Sequence, residues 1–100
     1  MRTKIWYELL VESVFDGRIL ENYALVLNGA VKIYPRNLKT KKIVVANNSA
    51  KVIYLGADAN VDQTNGFPIL PNDVFSFICF PDFYCYLYGD NQEIRVLEIE

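Results

Sequence analysis

Apolar and polar side chains alternate with a period of two over most of the chain, the spacing of a half-buried β-strand. Residues 5–15 place Ile5, Tyr7, Leu9, Val11 and Phe15 on one face, against Trp6, Glu8, Leu10, Glu12 and Val14 on the other. Asp16-Gly17 supplies the two central residues of a type I′ hairpin turn. The return strand then sets Ile19, Glu21, Tyr23, Leu25 and Leu27 against Arg18, Leu20, Asn22, Ala24 and Val26. Asn28-Gly29 predicts a second hairpin turn into a third strand, Ala30 to Tyr34, and Pro35 closes an N-terminal meander over residues 1–35. A helix over residues 4–15 competes, because Glu8 and Glu12 are i,i+4 neighbours and leucine is a good helix former. The β-branched and aromatic residues there, with the Asp-Gly turn, favour strand.

Residues 36–41 read as a polar connection. Five further strands are predicted: Lys42 to Ala46, Lys51 to Leu55, Val74 to Cys79, Phe83 to Tyr88 and Glu93 to Ile99. They are separated by Asn47-Asn48-Ser49, a long loop from Gly56 to Gly66, Pro71-Asn72-Asp73, Pro81-Asp82 and Gly89-Asp90-Asn91. Glycine and asparagine accept positive φ, proline fixes φ, and Asp and Ser bond to nearby backbone. About eight short strands in one 100-residue domain imply an all-β fold, a sandwich or small barrel, and a small antiparallel β-sandwich of jelly-roll or Ig-like type is expected. Val74 to Cys79 is apolar on both faces and is expected to be central and covered twice. In the next strand Phe83, Cys85 and Leu87 point one way, and Tyr84, Tyr86 and Tyr88 the other. That tyrosine row is either a sheet surface capped by loops or a partner interface, where tyrosine is enriched.

Composition narrows the class. The chain is 52% apolar, 22% charged and 14% aromatic, which excludes a disordered chain. At this size about 65% of the unfolded surface is buried on folding, enough for one core without a metal or disulfide scaffold. No apolar run approaches the ~20 residues of a membrane helix. Arg2 and Lys4 precede Ile5-Trp6-Tyr7, but Glu8 and Glu12 interrupt any signal-peptide core, so no secretory signal is expected. There is no histidine, which removes imidazole bases, His-based triads and the commonest metal ligand.

The net charge of −2 is unevenly spread. Residues 32–51 carry Lys32, Arg36, Lys39, Lys41, Lys42 and Lys51 with no acid, whereas residues 52–100 carry eight acids against Arg95 alone. A basic stretch can track phosphates, but no aromatic lies within residues 35–53 to stack bases. Nucleic acid is therefore not the expected partner. The segment is either a solvated connection or a contact between copies, basic on one and acidic on the next.

Candidate chemistry is sparse. Asp58, Asn60 and Asp62 open like a calcium loop, yet Gln63 stands where glycine is needed and Ile69 where a bidentate glutamate is needed. Local Asx-turn bonding is the expected use of those side chains. A tip at residues 81–83 would place Cys79 and Cys85 opposite each other on adjacent strands. A disulfide is then possible, and two buried free thiols are the default. No nearby cation activates either thiol. Asn47-Asn48-Ser49 matches a glycosylation sequon but falls where a turn is required. Glu8 and Glu12 lie roughly 13 Å apart on one strand face, too far for a glycosidase pair. No enzyme, cofactor or metal is expected.

The stretch Lys42-Ile43-Val44-Val45-Ala46-Asn47-Asn48-Ser49-Ala50-Lys51-Val52-Ile53-Tyr54-Leu55-Gly56 ends one strand in Ala-Asn and the next in Tyr-Leu-Gly. Asn60-Val61, Asn65-Gly66-Phe67-Pro68-Ile69-Leu70-Pro71, Val74-Phe75-Ser76-Phe77 and Ile94-Arg95-Val96-Leu97-Glu98 complete the pattern. Residues 42–98 thereby resemble a small β-sandwich module of virions, found in phage head-fibre, capsid-decoration and minor capsid proteins. The aromatic richness of residues 75–88 departs from that module. The resemblance implies a virus structural protein, a capsid-associated decoration, penton/turret or fibre-base component. It further implies a homo-oligomer contacting other capsid or virion proteins, located in the virion after assembly in the host cytoplasm, with no membrane span. It supplies no active-site residues. The expected assembly surface is Tyr84, Tyr86 and Tyr88 with Lys32, Arg36, Lys39, Lys41 and Lys42. The alternative is a non-catalytic ligand- or carbohydrate-binding β module, with Trp6 or the tyrosine row as stacking platform.

Overall fold

The computed structural model describes residues 18–100. The strand over residues 5–15, its helical competitor, the Asp16-Gly17 turn and Trp6 lie outside the described residues. What is described is all-β. The strands are β1 (Ile19–Ile33), β2 (Lys42–Ala46), β3 (Ile53–Gly56), β4 (Phe67–Ile69), β5 (Val74–Ile78) and β6 (Cys85–Ile99). No helix among the described residues is long and apolar enough to cross a membrane.

The strands form one curled antiparallel sheet in the order β4-β3-β6-β2-β5, with β1 on the other edge of β6. The long β1–β6 pair is the spine. The C-terminal half of β6 carries β2, with Ala46 opposite Arg95 and Lys42 opposite Ile99. Its N-terminal half carries β3, with Tyr54 opposite Tyr88 and Gly56 opposite Tyr86. Both halves send apolar side chains to one core. Ile43, Val45, Ile94 and Val96 come from one half, Ile53, Ile69, Cys85 and Leu87 from the other, and Leu27 and Ile33 from β1.

Two expected turns instead lie opposite each other at one β-bulge. Asn28-Gly29 and Gly89-Asp90-Asn91 do not reverse the chain; they face each other across the spine, so that four of the expected strands are the two long strands β1 and β6. Leu27 pairs with Gln92 and Asn28 with Asp90, so Asn91 is the extra residue. Asn91 has φ 53° and Gly29 has φ 89°. A bulge and a hairpin turn draw on the same residue types, because both need positive φ. Gly89 meets a different demand: a Cβ there would lie 2.7 Å from Leu27 Cβ.

Other expectations change for topological reasons. Val74–Ile78 is not central: β5 pairs only with β2 among the described residues, and Ile78 is 65% exposed. Its apolar content serves one face, where Phe75 and Phe77 pack on the core with Phe83. Residues 67–69, left without an element by periodicity, pair with β3 as β4. Cys79 and Cys85 are not opposed across a hairpin, because β2 lies between β5 and β6. Both thiols are free.

The corner between β2 and β3 is held by a buried polar network. Asn47, with no exposed surface, donates through Nδ2 to the carbonyls of Lys51 (2.9 Å) and Ile69 (3.0 Å). Its Oδ1 accepts from the Ser49 amide and hydroxyl. Gln92 Nε2 donates to Ser49 Oγ at 2.8 Å and to the Lys51 carbonyl at 3.1 Å. The sequon asparagine thus spends its amide inside the fold, where a glycan has no access.

Candidate functional site

Two connections cross the open side of the curled sheet. Residues 34–41 run from β1 to β2, and residues 79–84 from β5 to β6. The Cys79 amide donates to the Lys41 carbonyl at 2.8 Å, and the Lys41 amide to the Ile99 carbonyl at 2.8 Å. Between the crossings lies a groove of about 750 Å³, with Lys32, Tyr34, Leu38, Phe80, Asp82 and Tyr84 in its walls.

The first crossing is pinned by a buried carboxylate. Glu98, with no exposed surface, accepts from the Arg36 amide on both oxygens at 3.0 and 2.9 Å. It also accepts from the Asn37 amide at 3.1 Å, the Thr40 hydroxyl at 2.6 Å and the Tyr23 hydroxyl at 2.9 Å. Burial pushes its pKa up, but the bonds from Thr40, Arg36, Tyr23 and Asn37 together outweigh that and hold it below the usual carboxylate value. Tyr23 moves the other way: burial, the bond to Glu98 and the Glu98 charge raise its hydroxyl. Over the Tyr23 ring sits the Arg36 guanidinium, 3.6 Å from the centroid. The alternation of β6 carries a signal for this anchor, since Glu98 shares its face with Ile94 and Val96.

The expected assembly residues divide. Lys32 and Tyr84 come together, with Lys32 Nζ 4.6 Å from the Tyr84 centroid and 6.0 Å from that of Tyr34. Tyr84 meets Tyr86 edge-on at 6.2 Å. Tyr88 instead leans on Tyr54 at 6.4 Å. Tyr84 is exposed, while Tyr86 and Tyr88 are half-buried, so the row is graded rather than uniform. Arg36 is committed to Tyr23. Lys39 and Lys41 are exposed on the crossing, and Lys42 is half-buried at the start of β2. Leu38 and Phe80 add apolar surface: Leu38 is fully exposed and Phe80 69% exposed. Neither carries a signal in the sequence, because their exposure follows from how the crossings run.

The two thiols near the groove are shifted toward their protonated form. Burial pushes the Cys85 thiol up to about 12, with Cys79 adding to the rise. Burial and then the Glu98 charge raise Cys79. Away from the groove, Asp58 accepts from the Asn60 amide at 2.9 Å, and Asp62 from the Thr64 amide and hydroxyl. These are the Asx-type bonds expected of that loop. A smaller cleft of about 320 Å³ on the outer face lies between β1 and β2, beside Ala24, Val44 and Arg95. The larger groove combines aromatic walls and exposed apolar groups with one cation, Lys32, and one acid, Asp82, and is the better binding surface. Comparison with protein families, with curated proteins and with solved structures returns no match.

Proposed function

We propose that the chain is a non-catalytic assembly module acting by protein–protein contact through the groove around Lys32. Its setting on this reading is a virion, as a capsid-associated decoration, penton/turret or fibre-base component. The contact role is carried by Tyr34, Leu38, Phe80 and Tyr84, which gather exposed apolar surface around one lysine. Clustered exposed apolar groups mark partner surfaces, whereas scattered ones are ordinary. The virion setting is supported by the strand and turn pattern of residues 42–98 quoted above. Carbohydrate stacking has less support, because the Lys32 ammonium lies over the Tyr84 ring.

Mass spectrometry of particles assembled in cells expressing the chain with its neighbouring capsid genes tests this. The wild-type chain is expected in the particles, and a Leu38→Ser/Phe80→Ser variant, folded by circular dichroism, is expected to be depleted about tenfold. Absence of the wild-type chain would end the virion reading. Equal incorporation of both forms would remove the groove as the contact.

A further inference from the structure

We infer that the occupant of the groove is a second copy of this chain, whose acidic β3–β4 lobe, residues 57–70, docks against Lys32 and the aromatic rim; this rests on the assembly reading above. The two surfaces differ in charge: Lys32 in the groove wall and the exposed Lys39 and Lys41 on the crossing beside it outnumber the one acid there, Asp82, whereas residues 57–70 carry Asp58 and Asp62 and no lysine or arginine. The lobe carries an exposed Asp58 and a half-buried Asp62 together with Phe67, which is 70% exposed, and Leu70, also exposed. It thus presents an exposed aromatic group on an acidic loop, where the groove presents apolar walls with Lys32 and Asp82 in them and two further lysines, Lys39 and Lys41, on the crossing. Buried apolar contact surrounded by paired charges is the usual anatomy of a specific interface.

The lobe is also ready to dock. The Asp58 and Asp62 turns, the Asn65 Nδ2 bond to the Asn60 carbonyl at 3.1 Å and the inward, buried Val61 fix its backbone. A pre-shaped loop loses little freedom on binding. No groove wall comes from residues 57–70, so a chain does not fill its own groove with its own lobe. Each copy carries both halves of the contact, which joins unlike surfaces.

Charge exchange between two variants tests the pairing. One variant makes the groove acidic (Lys32→Glu/Lys39→Glu). The other makes the lobe basic (Ala57→Lys/Ala59→Lys/Gln63→Lys) and spares the Asp58 and Asp62 bonds. All five positions are exposed, and unfolding midpoints check that both variants fold. In sedimentation velocity the wild-type chain is expected to self-associate, about tenfold more weakly at about 1 M salt than at about 0.1 M. Each variant alone should lose at least about tenfold in association, and an equimolar mixture should recover it, because acidic groove then meets basic lobe. A Phe67→Ser variant should weaken association at both salt concentrations. Wild-type association with no recovery in the mixture would overturn the pairing. A monomeric wild-type chain that still enters particles would overturn the second copy as occupant while leaving the assembly reading intact.

Discussion

The Thr40 hydroxyl donates a 2.6 Å hydrogen bond to the Glu98 carboxylate across 58 positions of sequence. That bond and the Arg36 and Asn37 amides tie the basic crossing to the last strand, so one wall of the groove depends on one buried charge.

Acid should loosen this tie. The folded Glu98 carboxyl lies below its unfolded value, so its contribution is fully present above about pH 4.3 and is lost as pH falls through the folded pKa. Glu98→Gln should cost about 2–3 kcal/mol at pH 7, since an amide cannot accept all these bonds and adds donors of its own. Urea unfolding between pH 7 and pH 3 checks it: the gap between wild type and variant should narrow toward acid. A constant gap would mean that the charge contributes nothing.

Asn47 should be equally hard to replace. Asn47→Ala removes the side-chain donor to the buried Ile69 carbonyl and one of those to the Lys51 carbonyl, which keeps Gln92, at a cost of about 2 kcal/mol. Asn47→Asp should cost more, because a carboxylate facing those two carbonyls repels them. Denaturant midpoints rank the two variants.

The bulge glycines should respond for different reasons. Gly89→Ala drives a Cβ against Leu27 and should cost about 1–3 kcal/mol through overpacking. At Gly29 nothing lies within 4 Å, and only φ 89° opposes a side chain. Gly29→Asn should therefore be milder than Gly29→Val, since asparagine accepts positive φ and a β-branched residue does not. Thermal unfolding of the three variants separates steric from conformational cost.

Both thiols should be slow nucleophiles in the folded chain. Burial raises Cys85 to about 12 and also raises Cys79, so each stays protonated at pH 8. Iodoacetamide at pH 8 should label the folded chain far more slowly than the urea-unfolded chain, and Cys85 more slowly than Cys79. Rapid labelling of folded Cys85 would contradict its burial.

The alternating pattern by itself determined the all-β class, the strand Lys42–Ala46 and the inward Cys85 and Leu87 opposed to the tyrosines. These depend on a period of two and on side-chain chemistry, which are local properties. The basic run and the tyrosine row singled out Lys32 and Tyr84 separately, which the structure brings together, and neither pointed to Leu38 or Phe80. Tertiary structure decided whether Asn28-Gly29 and Gly89-Asp90-Asn91 were turns or the two sides of one bulge, because that depends on which residues face them across the spine. It likewise left β5 paired with β2 alone among the described residues and moved β2 between the two cysteine-bearing segments. Strand order is fixed by long-range pairing and shared core burial, and no local run of residues encodes its partner.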